Sequence, residues 1–140
     1  MTEGLRQLDM LIGEWTGGSR KYPEGRGRTT VHPTEDGKFL RLESSEADRR
    51  FPESTMLIGA DESRDECTVL YYDSRDVRRV YRMSVAAGVW KMWRDAPGFN
   101  QRFIGRISDD GKSIAGQWEM SPDGINWEVD FDLSYSKVHD

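Results

Sequence analysis

From Trp127 to Ser136 apolar and polar residues alternate without interruption. Trp127, Val129, Phe131, Leu133 and Tyr135 hold one phase, and Glu128, Asp130, Asp132, Ser134 and Ser136 hold the other. A period of two marks a strand with one buried and one wet face, as in an antiparallel sheet. Shorter runs of this kind recur along the chain. They are separated by turn-forming clusters at 23–27, 33–37, 48–53, 61–66, 73–76, 86–88, 96–98, 109–111 and 121–124. The pattern predicts strands over 14–22, 27–33, 38–47, 54–60, 66–72, 77–85, 89–95, 99–108, 112–120 and 126–137. Only the N-terminus departs from it. Leu5, Leu8, Met10, Leu11 and Ile12 form a short apolar stripe, with Thr2 placed to cap it and Gly13 to end it, which predicts a helix of one to three turns.

Turn chemistry sets trial registers. A two-residue type I′ turn at Asp110-Gly111 opposes Ile107 to Ile114, Gly105 to Gly116, Phe103 to Trp118 and Gln101 to Met120. A four-residue loop over Pro122–Ile125 then opposes Met120 to Trp127, Trp118 to Val129, Gly116 to Phe131 and Ile114 to Leu133. The two glycines beside a large ring suit a sheet that bends sharply. The 77–95 hairpin has two solutions. With Ala86-Ala87 as the turn, Arg79 faces Arg94 and the pair forms an anion site. With Ala86-Ala87-Gly88 as the loop, Arg79 faces Asp95 in an ion pair, and glycine supplies the left-handed residue. The second is favoured, and the anion site stays as a hypothesis.

About ten consecutive strands joined by short turns form either a sandwich or a closed sheet, and closure removes exposed edges. The expected fold is all-β: an antiparallel up-and-down β-barrel of about ten strands with a short N-terminal helix, as one domain over 1–140. The length of 140 residues agrees with a single domain. Aromatics at 11%, five of them Trp, argue against global disorder. A net charge of −5 argues against a duplex nucleic-acid partner. No apolar run is long enough for a membrane helix, and the opening MTEGLRQLDMLIGEW lacks the look of a secretory signal. Cys67 is the single cysteine, so no internal disulfide forms, and a cytoplasmic location is expected.

The segment Gly13-Glu14-Trp15-Thr16-Gly17-Gly18, after a short helix and opening the first strand, resembles the G-x-W start of the calycin group. That group comprises the lipocalin, fatty-acid-binding and nitrobindin-like barrels. The stretch GEWTGGSRKYP looks most like the nitrobindin-like branch, whose barrels have ten strands. The resemblance implies a Trp packed across the barrel base. It also implies haem held by a histidine near the last strand. The histidines here are His32, before Pro33 at a strand end, and the penultimate His139, which argues against haem.

Other chemistry lacks parts. Zinc ligands are too few, calcium-loop spacing is absent, and Asp109-Asp110 and Glu128-Asp130-Asp132 read as solvated charge. There is no nucleophile elbow or phosphate loop, and Cys67 reads as a buried structural thiol. No metal or catalytic residue is therefore assigned. The candidate lumen residues are Trp15, Arg79, Tyr81, Trp90, Phe103, Trp118, Phe131 and Tyr135. The favoured function is non-catalytic: holding a small, largely apolar or amphipathic molecule in the lumen, its polar end, anionic in one version, oriented by Tyr81, Tyr135 or an arginine. One alternative is a small isomerase- or lyase-type enzyme using Arg79, Tyr81 and Tyr135, which needs an inward acid such as Glu43. Another is a homodimeric interaction module with a filled core and an apolar outer patch.

Overall fold

The structure, a computed structural model, describes residues 3–23, 26–48, 50–62 and 66–138. A helical turn α1 (Glu3–Arg6) and a 3-10 turn (Asp9–Leu11) precede ten strands. These are β1 (Gly13–Gly18), β2 (Arg26–Pro33), β3 (Leu40–Glu46), β4 (Ser54–Ala60), β5 (Cys67–Asp73), β6 (Arg78–Ala86), β7 (Val89–Arg94), β8 (Asn100–Ile107), β9 (Ser113–Ser121) and β10 (Glu128–Lys137). Each strand pairs antiparallel with its sequence neighbours, and β1 pairs with β10 through Trp15–Lys137 to Gly18–Ser134, closing the barrel. The largest difference from the expected strands is in β1, which stops at Gly18 instead of running to 22. The expected cap Thr2 lies outside the described residues.

One end of the barrel is filled. Leu5, Leu8 and Leu11 are buried there, on turns whose N–H groups bond the carbonyls three residues back: Leu8 to Leu5 and Leu11 to Leu8, both at 2.9 Å. Met10, part of the expected stripe, is exposed instead. The Trp15 indole N–H donates to the Leu11 carbonyl at 2.9 Å, fixing the plug to β1. Leu40, Ile58, Cys67, Met83 and Val85 complete this packed end. Burial raises the Cys67 thiol pKa, as expected of a structural cysteine.

The β8–β9 register is the expected one, with Phe103 on Trp118 and Gly105 on Gly116. The turn is not type I′. Only Gly111 has positive φ, and Ser108 and Ser113 close a four-residue loop in which Asp110 accepts from Ser108 Oγ and the Lys112 N–H. The next hairpin departs further. The Asp123 carboxylate takes the N–H groups of Ile125 and Asn126, so the loop runs longer than Pro122–Ile125. A bulge between Val129 and Phe131 then shifts the phase. Phe131 opposes Trp118, Leu133 opposes Gly116 and Tyr135 opposes Ile114. Val129 is 57% exposed, and Trp127 leaves the inner row to stack under the Arg102 guanidinium at 3.9 Å. The inner row across three strands is therefore Phe103, Trp118, Phe131.

The β6–β7 hairpin takes neither expected form. Ala86 pairs with Val89 around a two-residue turn, Ala87-Gly88, with φ of 52° and 75°. Both central residues are left-handed, as a type I′ turn requires, even though the first is alanine. Arg79 therefore faces neither Arg94 nor Asp95; its cross-strand partner is Tyr71 on β5.

The paired glycines make room for Phe103. A Cβ on Gly116 would lie 2.6 Å from the Phe103 ring and one on Gly105 would lie 2.9 Å from it. Gly116→Ala should therefore destabilise the fold by about 1–3 kcal/mol through overpacking, measured as a lower urea midpoint at unchanged m-value.

Candidate functional site

The opposite half of the barrel is hollow. Inward side chains leave a cavity of about 560 Å³. Leu42, Met56, Met92, Leu133 and the rings of Phe103 and Trp118 supply its apolar walls. The rings pack edge to face, with Trp90–Phe103 centroids 4.9 Å apart and Tyr81–Trp118 centroids 5.6 Å apart, so the wall is preorganised. The filled core expected of an interaction module thus occupies only the plugged half.

Arg79, Tyr81, Trp90, Phe103, Trp118, Phe131 and Tyr135 all border this cavity. Trp15 does not: it belongs to the plug, 2% exposed, with its polar tip already bonded. Strand alternation explains the grouping, since β6 turns Arg79, Tyr81, Met83 and Val85 inward and β10 turns Phe131, Leu133 and Tyr135 inward.

Two polar clusters sit on the β5–β8 side. The Tyr81 hydroxyl donates to Gln101 Oε1 at 3.1 Å. Asp73 accepts from the Tyr71 hydroxyl at 2.7 Å and from Arg75 Nη2 at 2.6 Å. Burial opposes ionisation of Asp73, but the bonds from Arg75 and Tyr71 outweigh it and hold the carboxyl well below the usual carboxylate range. Burial, with the Asp73 acceptor second, pushes the Tyr71 phenol up. Arg75 is thereby committed. Arg79 is not: its guanidinium lies 5.4 Å from the Phe99 ring centroid, and among the described residues no carboxylate pairs with it.

A third cluster lies across the mouth, on β10, β1, β2 and β3. Glu46 pairs with Gly27, Gly27 with Gly17, and Gly17 with Tyr135, so two glycines separate two large inward side chains. Both side chains lean into the space left open. A Cβ on Gly27 would meet Glu46 Oε1 at 2.8 Å, and one on Gly17 would meet the Tyr135 ring at 3.4 Å. Thr29 and Ser44 share a hydrogen bond of 2.9 Å one position further in. Trp90 adjoins Tyr135, with centroids 5.9 Å apart. Among the described residues, Glu46 Oε2 and Trp90 Nε1 are buried with no hydrogen-bond partner. Desolvation, then the nearby Asp48 charge, raises the Glu46 pKa, and burial raises that of Tyr135.

On β3 the acid that borders the cavity is thus Glu46 and not Glu43. Glu43 faces solvent with Arg41 and His32, the latter at 3.6 Å. The Ser44-Ser45-Glu46 end of β3 carries no apolar alternation, so nothing in the sequence marked it. His32 offers the lumen nothing, and His139 lies outside the described residues. A histidine-held haem does not fit the described lining, which contains no histidine. Among the described residues no group of three metal-ligating side chains converges. On the outer surface, Leu57, Leu70 and Val80 form one cross-strand apolar row.

No protein-family profile matches the chain, and no curated protein matches it by sequence. Among solved structures, that of Rv2717c from M. tuberculosis matches with a TM-score of 0.68 and 14% identity, over 99% of each chain. That likeness is one of fold, over nearly the whole of both chains, with little sequence in common.

Segment 19–23 borders the mouth and is tied to β10 from outside. Asp132 accepts from the Arg20 N–H at 3.0 Å, Ser19 Oγ at 2.8 Å and the Lys21 N–H at 3.3 Å. These bonds hold its carboxyl at about 2, below the ordinary 3.8. A lowered folded pKa adds stability above the ordinary value, and that stability is lost as pH falls through about 2. Asp132→Asn should melt below the wild type at pH 5, and the gap should close as the pH approaches 2. A gap of equal size at both pH values would show that the ties depend on shape and not charge.

Proposed function

We propose that the barrel binds one small, largely apolar molecule with an anionic end, in the hollow half. The observation that carries this reading is an aromatic- and thioether-walled cavity of about 560 Å³ with a guanidinium at its edge, Arg79, that no described carboxylate neutralises. Burial of the ligand's apolar surface drives association, at about 25 cal/mol per Å² before the cost of immobilising it. Arg79 orients the charged end, held in place by its stacking on Phe99. The likeness to Rv2717c over nearly the whole of both chains supports the scaffold and is silent on the ligand.

Anilinonaphthalene sulfonate, an apolar ring system with an anionic group, is a suitable probe. It should bind at one site and quench tryptophan emission, because Trp90 and Trp118 border the cavity. Ser54→Trp, which places a large ring in the lumen, should abolish that signal. Arg79→Ala should weaken binding about fivefold or more through loss of a charge-assisted contact. Unchanged binding to a folded Ser54→Trp variant would place the probe elsewhere and defeat the reading.

A further inference from the structure

Among the described residues three buried side-chain polar atoms lack a partner, and two of them, Glu46 Oε2 and Trp90 Nε1, belong to residues that border the cavity. Buried polar groups are normally hydrogen-bonded, and each one left unsatisfied costs stability, so an orphan at a cavity wall marks a place for a partner. These two are complementary. An indole nitrogen only donates, and a carboxylate oxygen accepts. Gly17 and Gly27 stand between Tyr135 and Glu46, and the space they leave lets both side chains lean across the wall. Trp90 stands beside Tyr135, whose hydroxyl is a further donor. Glu46 and Tyr135 lie on β3 and β10, three and four strands round the closed sheet from Arg79 on β6, and Trp90 reaches Tyr135 from β7.

We infer that the lumen ligand is two-ended: besides the anionic end at Arg79 it carries, on the Glu46–Tyr135–Trp90 wall, a neutral polar group able both to donate and to accept hydrogen bonds, such as a hydroxyl. The ligand class is an ω-hydroxylated or similarly end-functionalised apolar acid, not a plain fatty acid. A second carboxylate at that end would face the Glu46 carboxyl and be disfavoured. This inference rests on the lumen being the binding site.

The test is calorimetric titration of the full chain with decanoic acid and 10-hydroxydecanoic acid. The hydroxy acid should bind about tenfold more tightly. In Glu46→Leu and in Trp90→Phe that preference should shrink toward one, whatever the change in decanoic acid affinity itself. Glu43→Leu, on the outer surface, should keep the preference. Near-ultraviolet circular dichroism checks each fold, and Glu46→Gln and Tyr135→Phe serve if the first variants fail to fold. Equal affinities in the wild type, or a preference that survives both wall substitutions, would overturn the two-ended ligand and leave the lumen reading intact. If anilinonaphthalene sulfonate binds in the lumen and neither acid binds, the inference falls alone. If none of the three binds the folded protein, both fall.

Discussion

A ten-stranded sheet closed on itself encloses more space than its inward side chains need to fill. How the chain divides that space determines everything else about this molecule. One half is occupied from outside the sheet. Leu5, Leu8 and Leu11 enter the end of the barrel, and Trp15 locks them through its bond to the Leu11 carbonyl. The other half has no such plug. Its walls are rings braced against one another, so it stays open without collapsing, and a preformed apolar cavity with few polar groups is what small-molecule sites look like.

Glycine placement works differently in the two halves. Gly105 and Gly116 yield their space to Phe103, which consolidates the packed wall. Gly17 and Gly27 yield theirs to Tyr135 and Glu46, and there the result is polar chemistry facing the hollow. A closed antiparallel barrel satisfies its backbone wholly between neighbouring strands. Ligand chemistry therefore has to come from side chains. Around this cavity a carboxyl and an indole each carry a buried atom that has no partner among the described residues.

Much of the architecture was legible because strand period and turn residues are local signals. Ten strands and the β8–β9 register follow from alternation and from Asp110-Gly111, even though the loop is longer than the type I′ turn it suggested. The differences have physical reasons. The bulge after Val129 is invisible because apolar and polar residues go on alternating straight through it. The β6–β7 turn was missed because it puts Ala87 at φ 52°, a conformation that alanine disfavours and propensity therefore argues against. Trp15 sits at the plugged base, bonded to the Leu11 carbonyl, so it is structural and does not border the lumen. Glu46 escaped notice because inward polar residues near a strand end look like surface in one dimension.

The half of the barrel away from the N-terminal plug is a cavity whose wall around Met56, Trp118 and Leu133 is apolar. Diffraction from crystals held under xenon pressure tests it most directly, since xenon enters apolar cavities large enough to hold it. Xenon density against Met56, Trp118 and Leu133, with none among Leu5, Leu8 and Leu11, is the predicted result. A lumen filled by the mouth segments, with no xenon between β4 and β9, would contradict it.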